Sequence, residues 1–279
     1  MLTLFQNRPA WRLETSELRV TIMQCGAHVA ETVLKRAGGI NPLWIPDQPT
    51  IDSDQFDPGR DGGRYGDDAE ARLISGLLGH NLCLPFWGPP SASEFAAGMT
   101  FHGETNIVRW QEVSHTPSSL TIEATLPNSG IRVERSIVCR GPVVFYETTA
   151  ENLTSWDRPL AWCEHVTVGP PFLAARDTRF YASLLNGFRT GDSATQFLWP
   201  QGCSESPCDL SFFGSAHDSE LVNSFTVNTN DKLGYFVACN ARVGLLFGYA
   251  FASSEFPWLN IWESNNQKRR TRGMEFSNT

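Results

Sequence analysis

The stretch SLTIEATLPNSGIRVERSIVCRGPVVFYETTAEN, residues 119–152, decides the fold class. Apolar and polar residues alternate through Ser119–Leu126, Ile131–Cys139 and Val143–Asn152. Each run therefore presents one apolar and one polar face, as a half-buried strand does. Between them sit Asn128-Ser129-Gly130 and Arg140-Gly141-Pro142, turn clusters that reverse the chain into hairpins. Working outward, the same alternation marks Leu18–Met23, Ala27–Leu34, Leu160–Val168, Leu221–Thr229, Leu233–Cys239 and Val243–Phe251, with Asn228 to Asp231 as a further turn. No long window carries apolar residues at helical spacing. The chain reads as all-β, a large antiparallel β-sandwich forming one domain over 1–279.

Asp47 to Glu70 breaks the rhythm. It packs seven Asp, four Gly and two Pro into a polar stretch and reads as a long loop over 47–70, a cleft rim or a floppy insertion. Its aspartates, Asp54, Asp57, Asp61, Asp67 and Asp68, do not follow the spacing of a calcium loop. The chain ends at Gly273-Met-Glu-Phe-Ser-Asn-Thr279 directly after a candidate functional strand, which reads as a truncation or as the absence of a later strand.

Composition narrows the function classes. Hydrophobic residues at 41% and charged residues at 19% suit a globular core rather than disorder. A net charge of -8 disfavours nucleic acid, and the one dense basic cluster, Lys268, Arg269, Arg270 and Arg272, beside acidic and aromatic residues, reads as a solvated loop. No apolar run reaches the length of a membrane span and the N-terminus has no signal-peptide pattern, so the expectation is a cytoplasmic protein without a membrane partner. The seven cysteines (25, 83, 139, 163, 203, 208, 239) suit reduced thiols. Cys203 and Cys208 lack the second ligand pair of a zinc site, and no metal is expected.

Three segments carry candidate chemistry. Asn81 to Pro90 (NLCLPFWGPP) precedes His102-Gly103-Glu104 and Trp110. Phe86, Trp87 and Trp110 form a candidate aromatic platform for the flat C–H face of a sugar, with His102 and Glu104 at its polar rim. In Trp162-Cys-Glu-His-Val-Thr-Val-Gly-Pro-Pro-Phe172, adjacent strand residues face opposite ways, so only one of Glu164 and His165 enters a given cleft. His165 is the candidate acid. In Phe256-Pro-Trp-Leu-Asn-Ile-Trp-Glu263 and Gly273-Met-Glu275-Phe276, two carboxylates compete for the role of a buried base. Glu275 is preferred because it points away from Met274 and Phe276, leaving Glu263 to cap or brace the cleft.

These segments, with Gln24-Cys-Gly-Ala-His-Val-Ala-Glu31 and Asn41-Pro-Leu-Trp44, resemble in order and spacing the galactose mutarotase-like sugar epimerases, which include the aldose 1-epimerases and hexose-6-phosphate 1-epimerases. The resemblance implies a sandwich with a cleft across one sheet, in which a glutamate takes the anomeric hydroxyl proton and a histidine protonates the ring oxygen. Carried over by position, Glu275 is the base, His165 the acid, and His102 orients the ring oxygen or a neighbouring hydroxyl; no cofactor is needed. Many phosphosugar members have His-Gly-Phe-Ala-Arg where this chain has His102-Gly-Glu-Thr-Asn106. Asn106 at the arginine position argues for a free monosaccharide, although Arg109, Arg72 or the cluster near Arg270 are substitutes. Asp177 and Asp192 are imperfect matches to an aspartate that holds sugar hydroxyls.

The expected function is interconversion of the anomers of a free aldose, with a non-catalytic carbohydrate-binding protein as the alternative. Turnover calls for His165 and Glu275 facing each other across roughly 5 to 7 Å. A third reading pairs Glu104 with Glu263 about a glycosidic bond. The sequence leaves the sugar and the oligomeric state open.

Overall fold

A computed structural model of the chain describes residues 2–203, 206–214, 220–266 and 269–279. Its regular structure is mostly antiparallel strands with few helices, and it divides into two compact units.

Unit 1 comprises Met1–Gly39 and Ile45–Trp162. Its first strands, β1 (Thr3–Phe5), β2 (Arg8–Glu14), β3 (Leu18–Met23), β4 (Val29–Leu34) and β5 (His80–Cys83), pair in that order. Its second sheet is the meander β6 (Gln111–Thr116), β7 (Ser119–Leu126), β8 (Ile131–Arg140) and β9 (Val143–Asn152). The alternation in residues 119–152 has the expected result: Leu120, Ile122, Ile131, Val133 and Ile137 are buried while Arg132 and Glu134 between them are exposed. Arg135 occupies an inward position nonetheless. It is only 2% exposed, lies 5.0 Å from the Tyr146 ring centroid and donates to Thr148 Oγ1, contacts that offset the cost of burying a charge.

The polar stretch 47–70 is folded, not structureless. Helix α1 (Pro58–Tyr65) begins at Asp57, whose carboxylate accepts from the Arg60 amide, with proline at the first helical position. A second short helix, α2 (Ala71–Gly76), follows. Asp52 is buried between two arginines, accepting from Arg8 Nε at 2.9 Å and an Arg109 terminal nitrogen at 2.9 Å, and Asp54 accepts two bonds from Arg109. Asp52, Asp54, Asp57 and Asp61 are thus spent on a helix cap and arginine pairs. A third helix, α3 (Ala92–Ala96), opens on a capping box of Ser91 and Glu94.

Unit 2 comprises Ile40–Trp44 and Cys163–Thr279. Its strands are β10 (Cys163–Val168), β11 (Thr178–Ala182), β12 (Leu184–Arg189), β13 (Asp192–Leu198), β14 (Gln201–Cys203), β15 (Pro207–Asp209), β16 (Leu221–Val227), β17 (Leu233–Asn240), β18 (Leu245–Ala252), β19 (Trp258–Asn265) and β20 (Arg270–Ser277). The main sheet of this unit runs β10-β20-β19-β16-β12-β13, beside a three-stranded sheet β11-β17-β18 and the ribbon β14-β15. Phe276 stacks on Phe251 with ring centroids 4.3 Å apart and meets Phe256 edge-on at 5.1 Å, so one face of the main sheet is an aromatic core.

Five of the six free thiols among the described residues are buried, and burial pushes Cys25 and Cys139 each up to about 11, which keeps them protonated and inert. The side chain of Cys203 lies outside the described residues. Among the described residues no helix is long and apolar enough to cross a membrane.

Candidate functional site

The register of unit 2 assembles a polar row. His165 on β10 pairs with Glu275 on β20, Glu275 with Asn260 on β19, Asn260 with Ser224 on β16, and Ser224 with Phe188 on β12. Directly opposed residues of antiparallel strands share a face, so these five side chains stand together. Their sequence neighbours Val166, Met274, Phe276, Leu259 and Ile261 point the other way, into the core. Trp258 and Trp262, two positions either side of Asn260, flank the row. Of the two adjacent polar residues, His165 shares the face of Glu275, and Glu164 does not.

The two side chains touch. His165 Nε2 lies 3.1 Å from Glu275 Oε1, and their side chains are 8% and 4% exposed. The other ring nitrogen, Nδ1, meets Thr167 Oγ1 at 3.1 Å, which fixes the ring plane. Burial pushes the Glu275 carboxyl up to about 8, because a carboxylate out of water is costly. The contact is closer than the gap of roughly 5 to 7 Å that sequence reasoning sets for a sugar between acid and base. The Trp262 ring centroid lies 6.5 Å from that of His165, and the Arg269 guanidinium lies 5.5 Å from the Trp262 ring.

Glu263 belongs to the opposite face, a correction to its reading as a cleft residue. It pairs in register with Arg272; both are fully buried and ion-paired, and Glu263 Oε1 also accepts from the Gly214 amide at 3.0 Å. Arg272 further donates to the Leu210 and Phe212 carbonyls. The basic cluster is therefore not one solvated loop: Arg272 is interior, Arg269 covers Trp262, Arg270 is exposed, and Lys268 lies outside the described residues.

Unit 1 holds the His-Gly segment. A Cβ on Gly103 would lie 2.1 Å from the Leu84 carbonyl oxygen, and the Glu104 amide donates to that oxygen at 2.7 Å. Glycine is required here by close backbone approach and by a φ of +83°. His102, itself at φ 66°, is turned over Trp87, their rings stacked at 6.3 Å. Its Nδ1 accepts from the Gly88 amide at 3.1 Å, so the neutral ring carries its proton on Nε2.

Glu104, Asn106 and Trp110 are interior supports, which corrects their reading as rim or platform. Glu104 is 1% exposed and accepts from the Asn128 and Ser129 amides, bracing the β7–β8 turn. Asn106, fully buried, donates to the His102 carbonyl at 3.2 Å and accepts from Asn81 at 3.0 Å. Trp110 is fully buried with its indole N–H on the Thr105 carbonyl. Phe86 and Trp87 are half-buried. In unit 2, Asp177 lies 3.5 Å from Arg242 in a surface ion pair, and Asp192 accepts from Thr195 in a hairpin. Neither is among the residues of the His165 row.

Sequence reasoning missed Asn260, Ser224, Phe188, Trp258 and Trp262. A signal existed for three of them: in Trp258-Leu-Asn-Ile-Trp262 the odd-even split separates Trp, Asn and Trp from Leu and Ile. Among the described residues no group of three or more His, Cys, Asp or Glu is arranged to hold a metal ion.

No protein-family model and no curated protein sequence matches the chain. Solved structures do. A galactose mutarotase related enzyme from Lactobacillus acidophilus superposes with a TM-score of 0.63 at 11% identity, over 96% of this chain and 85% of that one. A galactose mutarotase-like protein from Lactobacillus casei matches with a TM-score of 0.57 at 13% identity, over 96% and 87%. A GalM/aldose epimerase homologue from C. elegans matches with a TM-score of 0.57 at 11% identity, over 96% and 89%. The chain has the large antiparallel β-sandwich fold of galactose mutarotase-like proteins, as the resemblance of its sequence segments implied.

Proposed function

We propose that this protein is an aldose 1-epimerase-like enzyme that interconverts the anomers of a free aldose, with Glu275 as base and His165 as acid. The observation that carries the reading is the 3.1 Å contact between His165 Nε2 and Glu275 Oε1 on a buried face bordered by Trp258 and Trp262.

Elementary chemistry accounts for the short contact. The anomeric hydroxyl oxygen and the ring oxygen are bonded to the same carbon, so a base on one and an acid on the other need to stand side by side, not a full ring apart. Glu275 removes the hydroxyl proton as the bond from C1 to the ring oxygen breaks, and His165 delivers a proton to that oxygen. The open aldehyde rotates about its C1–C2 bond and closes with the transfers reversed. The pair needs one shared proton for this cycle. Burial of Glu275, which raises it to about 8, favours keeping that proton on the pair at neutral pH. Trp258 and Trp262 offer apolar surface for the C–H face of a sugar, and Asn260 and Ser224 offer hydrogen bonds to hydroxyls. The cycle calls on no cofactor.

The test is polarimetry or exchange NMR of freshly dissolved α-glucose, α-galactose and their 6-phosphates with the protein, and with Glu275→Gln and His165→Ala. Acceleration lost in both variants supports the reading. Sugar binding without acceleration supports a carbohydrate-binding protein instead, a role the two tryptophans serve equally well.

A further inference from the structure

Gly273 lies two residues before Glu275 on β20, on the same face, paired with Trp262 on β19 and Thr167 on β10. Glycine weakens a strand interior, because it loses more backbone entropy than other residues and packs nothing. Its backbone supplies no reason for the choice, since Gly273 lies outside the positive-φ region that favours glycine. The reason is steric. A Cβ at this position would lie 2.5 Å from Glu275 Oε1, 3.4 Å from Glu275 Cδ and 3.4 Å from Trp262 Cε3. The Glu275 side chain therefore folds back along its own strand, and its carboxyl rests in the space that a side chain at 273 would fill. The same Oε1 is the atom that meets His165.

Resting on the role proposed for Glu275, we infer that Gly273 is a positioning residue whose missing side chain forms the seat holding the Glu275 carboxyl against His165. The atom a Cβ would strike is the far end of a flexible side chain, not backbone. This distinguishes Gly273 from Gly103, whose Cβ would strike the Leu84 carbonyl, and from Gly248, whose Cβ would lie 2.3 Å from the Phe236 carbonyl oxygen. An alanine at 273 leaves the strand intact and moves the carboxyl. A displacement of about 1 Å at a reacting group costs on the order of 100-fold in rate.

The test combines kinetics with a thermal double-mutant cycle. Gly273→Ala is expected to fold, to lose kcat about 100-fold with a smaller change in KM, and to shift the carboxyl 13C titration of Glu275 away from its wild-type midpoint. In a Glu275→Ala background the obstruction is gone, so adding Gly273→Ala should raise Tm by more than it does in wild type. Wild-type kcat in Gly273→Ala, an unmoved Glu275 titration, or the same Tm increment in both backgrounds would overturn the proposal. Should Gly273→Ala fail to fold, Gly273→Ala with Glu275→Ala must fold, and its failure would overturn the proposal equally. If the wild-type protein accelerates no sugar, the enzymatic reading fails on its own, and the titration and the Tm cycle still decide the seat.

Discussion

His165 and Glu275 are direct cross-strand partners on β10 and β20, and their polar atoms meet at 3.1 Å on the face turned away from the aromatic core. An imidazole and a carboxyl so close titrate together, and their protons belong to the pair. Protonated Glu275 with neutral His165 and ionised Glu275 with cationic His165 are the same species in proton count.

That equivalence sets the pH dependence. The step near pH 8, where burial places Glu275, is the loss of the shared proton, after which nothing remains to protonate the ring oxygen. Mutarotase activity should therefore fall as pH rises through about 8. A profile that instead climbs through 8 and stays high would mean that Glu275 works as an isolated base.

Stability should depend on the same group with the sign of a raised carboxyl. The folded state holds a proton on Glu275 that the unfolded state has released between pH about 4.5 and 8, so stability falls with rising pH across this window. The slope is on the order of 1.4 kcal/mol per pH unit for one proton. Glu275→Gln removes that slope and should be more stable than wild type at pH 8 while losing activity, which urea titrations at several pH values will read.

His28 acts oppositely on the acid side. It is fully buried against the Gly76 carbonyl and Asn106, and burial drops it to about 3. A group with a lowered base pKa contributes stability at neutral pH that is lost as pH falls from about 6.5 toward 3. His28→Gln should make the acid limb of a denaturation curve shallower over this range, even if it lowers stability at pH 7.

Glu263 and Glu275 should separate cleanly. Glu263→Gln leaves Arg272 buried without its counter-ion and should cost about 3–5 kcal/mol in equilibrium unfolding. If Glu263→Gln instead abolished activity with full stability retained, the base would have to be reassigned.

Gly103→Ala should be a folding defect. Its Cβ would enter the Leu84 backbone at a φ of +83°, and the strained backbone alone costs about 1–3 kcal/mol. A loss of Tm together with a changed His102 ring environment by NMR is the expected outcome, in contrast to Gly273→Ala.

Much of this was legible in the sequence. Alternation and turn residues gave the strands from 119 to 152 nearly to the residue, and parity alone placed Glu275 opposite Met274 and Phe276. The segment 47–70 was misread as a loop because the partners of Asp52 and Asp54 are not known from the sequence. Arg8 and Arg109 come from distant parts of the chain, and no local pattern announces them. Strands β1, β14 and β15 carry no legible alternation because each is only three residues long, and β13 is mostly exposed.

The sequence by itself determined which side chains share a face within each strand, because the side-chain period of two is a property of the extended backbone. Register was decided only by tertiary structure. A slip of one residue between β10 and β20 would have set Glu164, not His165, beside Glu275. The partners of Glu263 and Glu275 were likewise decided in three dimensions: both sit on apolar-flanked strands, but Arg272 is opposite one and His165 opposite the other. The cost of burying a charge makes the first pair structural, and the proton the second pair can share makes it fit for chemistry.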